Sequence, residues 1–280
     1  MSAINTVITP NNDVKDEQSL IEKNIQKIII EIQKYNRVNI IDIGCGNGVP
    51  VLEIIERLKQ DKKEVIYTAV DISKEMIEIA LSEVSKKNPN VLIKSILLDL
   101  EYANLSEYLL TSSSSDTVNL LLLLGGTLGN YNKDKSIVRI LRESMTSNDY
   151  LLIGNALVNE NSNIYPYEAN SYHYTRTTWI PDLLGLNGNY VENRINEVNV
   201  SKSQEYREIR FSSNITTSVT VNEVEYPLSF NEGDTILVYQ FFWYGEAELV
   251  NTVIQHNFSI VHFTTNKERT YGLMFVSPTK

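Results

Sequence analysis

Apolar residues along the first half of the chain recur in two alternating rhythms. Between Ser19 and Lys34, the residues Leu20, Ile21, Ile25, Ile28, Ile29 and Ile32 keep helical spacing. Strand-length apolar runs follow at Val38–Ile43, Glu64–Val70, Val91–Leu98, Val118–Leu124 and Tyr150–Gly154. Between them lie the helical stretches Val51–Leu58, Lys74–Lys87 and Lys133–Met145. In the second of these Met76, Ile77, Ala80, Leu81 and Val84 share a face, with Ser73 as the expected N-cap. Continuous apolar strands separated by amphipathic helices predict an α/β fold whose parallel sheet is covered on both faces. The pattern holds from Val38 to about Leu157.

The texture then changes. Residues 159–190 are rich in Asn, Tyr and Pro, and from Tyr190 to Tyr244 polar and apolar residues alternate, as in DTILVYQFFWY. Such alternation predicts an antiparallel sheet with one wet face. A helix over Gly245–Asn257 and strands at Ser259–Thr264 and Tyr271–Val276 then complete the first sheet. The expected organisation is one domain of residues 1–157 and 245–280, with an inserted, mainly antiparallel β domain at 158–244. No internal repeat is visible.

Composition narrows the partners. The 280 residues carry a net charge of −10 and no basic cluster. That weighs against nucleic acid and against an anionic membrane surface. No apolar run reaches the ~18–20 residues of a membrane helix. The polar N-terminus has no apolar signal core, and the one cysteine fits a reducing cytoplasm. Three scattered histidines and that cysteine give no metal-ligand spacing. A small molecule is the expected substrate.

Three stretches carry candidate chemistry. In IIDIGCGNGVPVLEI, a strand runs into a turn made of Gly44, Cys45, Gly46, Asn47 and Gly48, with Asp42 just ahead. The G-x-G-x-G spacing departs from the G-x-G-x-x-G dinucleotide fingerprint and lacks the Lys-Ser/Thr of a P-loop. Asp42 would repel a pyrophosphate and suits a cationic or polar ligand. The alternative is a tight turn with no ligand. In YTAVDIS, Asp71 ends the second strand beside Ile72, where a carboxylate can accept both ribose hydroxyls, or can help cap the next helix. In LLDLE, Asp99 ends the third strand, where it can meet an adenine amino group between Leu98 and Leu100, or serve as an exposed loop acid.

Together these stretches resemble class I S-adenosyl-L-methionine-dependent methyltransferases, over Val38 to about Leu157 plus the last two strands. The resemblance implies a Rossmann-like seven-stranded sheet with its last strand antiparallel. It implies S-adenosyl-L-methionine as cofactor, S-adenosyl-L-homocysteine as product, and Asp42 near the cofactor's methionine ammonium. The fourth strand and its exit read LLLLLGGTLGNY, Leu120 to Tyr131. That turn resembles the G-S/G-T-I/L-G-N turn of the histidine-specific N-alpha-methyltransferases of ergothioneine biosynthesis. The resemblance places Gly125 and Gly126 at the cofactor and gives Asn130 the contact to the acceptor's amino-acid end. A packing turn, with Asn130 in a left-handed conformation, is the alternative.

The chain also departs from that family. Residues 1–36 contain nothing like its P-x-x-F-Y-D context. Where the family places a Glu and a Ser to hold imidazole, this chain has Tyr239 and Phe241. A site built to hydrogen-bond imidazole would lose its partners in that exchange. The expected acceptor is therefore an aromatic amine or amino acid other than histidine, with Tyr167 and Tyr174 among its contacts and His173 a candidate hydrogen-bond donor or base. O- or C-methylation of a biosynthetic intermediate, methylation of a basic peptide and a non-catalytic cofactor-binding role remain alternatives. Oligomeric state is not legible.

Overall fold

The computed structural model describes residues 12–102, 105–109, 116–132, 136–158, 180–186, 188, 190–199, 202–221 and 223–279. Contacts cluster into two units, Met1–Asn159 with Tyr244–Lys280, and Glu160–Trp243.

The first unit begins with helix α1, Asn12–Ile32. Its isoleucine stripe is buried. The helix starts earlier than its apolar spacing predicts, because the first turns are polar. Strand β1, Arg37–Ile43, leads through the glycine turn to α2, Val49–Gln60. Next come β2, Glu64–Asp71, and α3, Lys74–Lys87. The Ser73 hydroxyl caps α3 by accepting from the Met76 amide at 3.3 Å. Strand β3 spans Leu92–Leu97 and β4 spans Thr117–Leu123. A 3-10 turn at Thr127–Asn130 precedes α4, Ile137–Ser144, and β5, Tyr150–Val158. Ser136 is the N-cap of α4, and its hydroxyl accepts from the Arg139 amide.

After the second unit the chain returns through helix α5, Glu246–Gln255. It closes with the hairpin of β11, Phe258–Thr265, and β12, Tyr271–Pro278. Strand order across the sheet is β3-β2-β1-β4-β5-β12-β11. The first five strands are mutually parallel, and β12 runs antiparallel to β5. Strand order reverses between β1 and β4, which pair from Arg37↔Thr117 to Asp42↔Leu122. Ligands of open α/β sheets bind outside the carboxyl ends of the strands at such a switch point. Both strands are buried almost throughout, as expected for a sheet covered on both faces. Away from that edge, Asn39 donates to Asn119 at 2.8 Å, and Asn119 donates to Asp149 at 2.8 Å. These buried bonds fix the register of β1 against β4.

The second unit contains an antiparallel ladder of β6, Tyr190–Asn199, β7, Lys202–Phe211, and β10, Thr235–Gly245. A separate hairpin joins β8, Ile215–Val221, to β9, Val224–Phe230. Leu184, Leu186, Ile209 and Phe211 form its buried centre, where Phe211 stacks on Phe230 at 4.3 Å. No described helix is long and apolar enough to cross a membrane.

Candidate functional site

The turn after β1 is tied to the neighbouring strand. The Gly44 and Cys45 amides both donate to the Val70 carbonyl, at 2.8 and 3.3 Å. Gly44 and Gly46 have φ of 64° and 51°, a region that side chains resist. Their surroundings differ. A Cβ on Gly44 would lie 2.6 Å from Thr127 Cγ2, so this glycine lets the turn after β4 pack against the turn after β1. A Cβ on Gly46 would find only the Gly44 carbonyl, 3.9 Å away. Gly46 faces open space, and the Gly48 position is filled by the backbone of Ala80. Asn47 stabilises the entry to α2 by accepting from the Val49 amide at 3.1 Å.

Three carboxylates stand at the ends of the strands. Asp42 is 5% exposed, and its Oδ2 accepts from the Tyr67 hydroxyl at 2.9 Å. No lysine or arginine among the described residues pairs with it. Burial pushes its carboxyl up to about 7, the Tyr67 hydrogen bond opposes that rise, and the charges of Glu17 and Asp71 add to it. Asp71 Oδ1 accepts from the Ser73 amide at 3.0 Å, so it also braces the start of α3. Cys45 Sγ lies 4.0 Å from Asp71 Oδ2. Burial and the two nearby carboxylates push that thiol up, which keeps it protonated. Asp99 accepts from the Glu101 amide at 2.9 Å.

Between β2 and β3 the apolar surface differs from expectation. Leu100 is 2% exposed and offers almost no surface, whereas Ile72 and Leu97 are 68% and 62% exposed. The exposure of Leu97 was not legible, because a strand's last apolar residue looks like any other. Tyr131 was also not anticipated. Burial raises its hydroxyl to about 12, and the charges of Asp99 and Asp71 contribute. It therefore stands protonated near both carboxylates.

The exit of β4 is built on Gly125 and Gly126, with φ of 68° and 74°. The Thr127 hydroxyl donates to the Leu124 carbonyl at 2.7 Å and closes the turn. Asn130 ends the 3-10 turn with its side chain exposed. It is absent from the described residues with positive φ, so a left-handed backbone does not explain an asparagine there. The Gly125 amide donates to Glu17 Oε2 at 2.8 Å. Glu17 lies four residues before Ile21, on the apolar stripe of α1, and a charged residue on that stripe was the available signal.

Of the expected acceptor contacts, Tyr167, Tyr174 and His173 lie outside the described residues. Tyr239 and Phe241 alternate along β10 in the second unit. The Arg207 guanidinium lies 5.9 Å from the centre of the Tyr239 ring, and Phe241 packs edge-on to Trp243 at 4.9 Å.

The strand ends match the chemistry of S-adenosyl-L-methionine. A buried acid without a cationic partner among the described residues suits an ammonium, and a carboxylate at the end of β2 suits a ribose. Exposed Ile72 and Leu97 suit the faces of a base, and Gly46 leaves room for close approach.

No curated protein matches the chain. Among solved structures, a possible exported protein from Bordetella parapertussis aligns with a TM-score of 0.52 at 8% identity. That alignment covers 95% of this chain and 69% of the other, and it shows a shared fold. A Pyrococcus horikoshii protein aligns at 0.49 with 12% identity, covering 94% and 91% of the two chains. An amino pentose methyltransferase from Micromonospora echinaspora, solved with SAM bound and involved in calicheamicin biosynthesis, aligns at 0.46 with 12% identity, covering 94% and 92%. The family model described as histidine-specific, SAM-dependent methyltransferase matches residues 13–278. The chain belongs to that family, and the protein is an S-adenosyl-L-methionine-dependent methyltransferase of small molecules.

Proposed function

We propose that the protein methylates the nitrogen of an amino acid or of an aromatic amine derived from one. The observation that carries this reading is the packing of the two turns. Gly44 and Thr127 bring the turn after β1 against the turn after β4, and the second turn ends in exposed Asn130. An amide side chain beside the cofactor loop can orient an amino group or carboxylate by hydrogen bonding.

In this reading Asp42, Asp71 and Asp99 hold the cofactor's ammonium, ribose and adenine in turn. Gly44, Cys45, Gly46, Asn47, Gly48, Ile72, Leu97, Gly125 and Gly126 surround it. S-adenosyl-L-methionine supplies an electrophilic methyl group on a sulfonium and departs as neutral S-adenosyl-L-homocysteine. The chain's own contribution is alignment of acceptor and methyl group and exclusion of water. Burial around the acceptor favours the neutral amine over the ammonium, so no dedicated base is required. Tyr239 and Phe241 replace the family's imidazole-binding Glu and Ser and favour an aryl group over histidine. The chemistry suits small-molecule biosynthesis in the cytoplasm.

The test is a set of matched acceptors, each an aryl-alkyl amine paired with its alcohol or phenol counterpart, supplied with S-adenosyl-L-methionine. Methylation confined to the amines supports the proposal. Transfer to oxygen or carbon instead would replace it with the O- or C-methyltransferase reading.

A further inference from the structure

We propose that Glu17 of helix α1 is a positioning residue of the cofactor site, holding the β4 exit turn against the glycine turn of β1. The inference rests on the methyltransferase reading of those two turns.

Glu17 is 0% exposed. Its Oε2 accepts from the Gly125 amide at 2.8 Å and from the Tyr271 hydroxyl of β12. Space for it is provided on β5, where a Cβ on Gly154 would overlap the same oxygen. The Gly154 carbonyl in turn accepts from the Gly126 amide at 3.3 Å. One carboxylate thus joins α1, the exit of β4, β5 and β12. Two residues beyond Gly125, Thr127 meets Gly44, so the chain of contacts runs from Glu17 to the cofactor turn.

Bracing a helix does not require a buried charge. An apolar residue of similar volume commonly does so at equal or better stability. What the carboxyl adds is one acceptor oxygen shared by the Gly125 amide and the Tyr271 hydroxyl. Among the described residues, Tyr67 and Asp71 of β2, Cys45 of the glycine turn and Glu17 of α1 interact electrostatically with Asp42.

The experiment is calorimetric titration of S-adenosyl-L-homocysteine into wild type, Glu17→Gln and Glu17→Ala at pH 8, with a thermal melt of each. Glu17→Ala should bind at least about fivefold more weakly, the loss of one hydrogen bond that positions the turn. Glu17→Gln keeps the reach and an acceptor oxygen for the Gly125 amide, and should restore most of that affinity. A purely structural brace would change the melting temperature and leave affinity in place. Glu17→Ala that binds as tightly as wild type, or Glu17→Gln that binds as weakly as Glu17→Ala, overturns the inference. Wild type that fails to bind S-adenosyl-L-homocysteine overturns the functional reading itself.

Discussion

The Tyr67 hydroxyl donates to Asp42 Oδ2 across adjacent strands at 2.9 Å. One hydrogen bond does not offset the burial of this carboxyl, which is pushed up to about 7. A folded-state value above the unfolded one means that the contribution to stability is fully present below about pH 4. It is lost as pH rises through about 7. Ligand-free protein should therefore lose thermal stability between pH 5 and 8 through this group. Asp42→Asn should melt higher than wild type at pH 8, and by a smaller margin at pH 5. The same variant should bind S-adenosyl-L-homocysteine about tenfold or more weakly at pH 8. Melting curves and calorimetry at the two pH values check both parts.

Asp71 is proposed to hold the ribose. Asp71→Ala should weaken S-adenosyl-L-homocysteine by about 10- to 100-fold, the range for losing hydrogen bonds to a charged group. Stability should fall modestly, because the Ser73 amide loses its acceptor. Unchanged affinity, measured by calorimetry, would return Asp71 to a helix-capping role.

Gly44 and Gly46 separate packing from ligand space. Gly44→Ala places a methyl group against Thr127 in a left-handed backbone, and should destabilise the protein by about 1–3 kcal/mol. Thr127→Ala should relieve part of that loss. Gly46→Ala has room in the folded protein, so its stability should fall by only about 1–2 kcal/mol from backbone strain. Its cofactor affinity should nonetheless collapse. Denaturant melts paired with calorimetry distinguish the two variants.

Asn130→Ala should leave S-adenosyl-L-homocysteine affinity within about threefold of wild type, while raising the acceptor's KM or cutting kcat by tenfold or more. Steady-state kinetics beside calorimetry reads this. Parallel loss of cofactor affinity would remove Asn130 from the acceptor side.

Much of this was legible in the sequence because its causes are local. Strands β1 and β4 are buried on both faces and read as mainly apolar runs, broken by Asn39 and Asp42 in one and Asn119 in the other. The turns at Gly44 and Gly125 announce themselves by composition. Strand-end position alone does not say which apolar side chain turns outward; Leu97 and Ile72 are exposed and Leu100 is buried. Glu17 was missed because its partners Gly125 and Tyr271 are 108 and 254 residues away in the chain. Tyr131 was missed because its proximity to Asp71 and Asp99 arises from sheet order. The early start of α1 was hidden by its polar opening turns, which carry no apolar rhythm.

The central claim is methyl transfer to a small amine. Its most direct measurement is mass spectrometry of a mixed acceptor pool incubated with the protein and S-adenosyl-L-methionine carrying a trideuterated methyl group. The pool should hold amino acids, aryl-alkyl amines, phenols and short basic peptides. The account predicts one or more labelled methyl groups on the nitrogen of an aromatic amine or amino acid. Label confined to oxygen, carbon or peptide, or no label on any acceptor while S-adenosyl-L-homocysteine still binds, would contradict it.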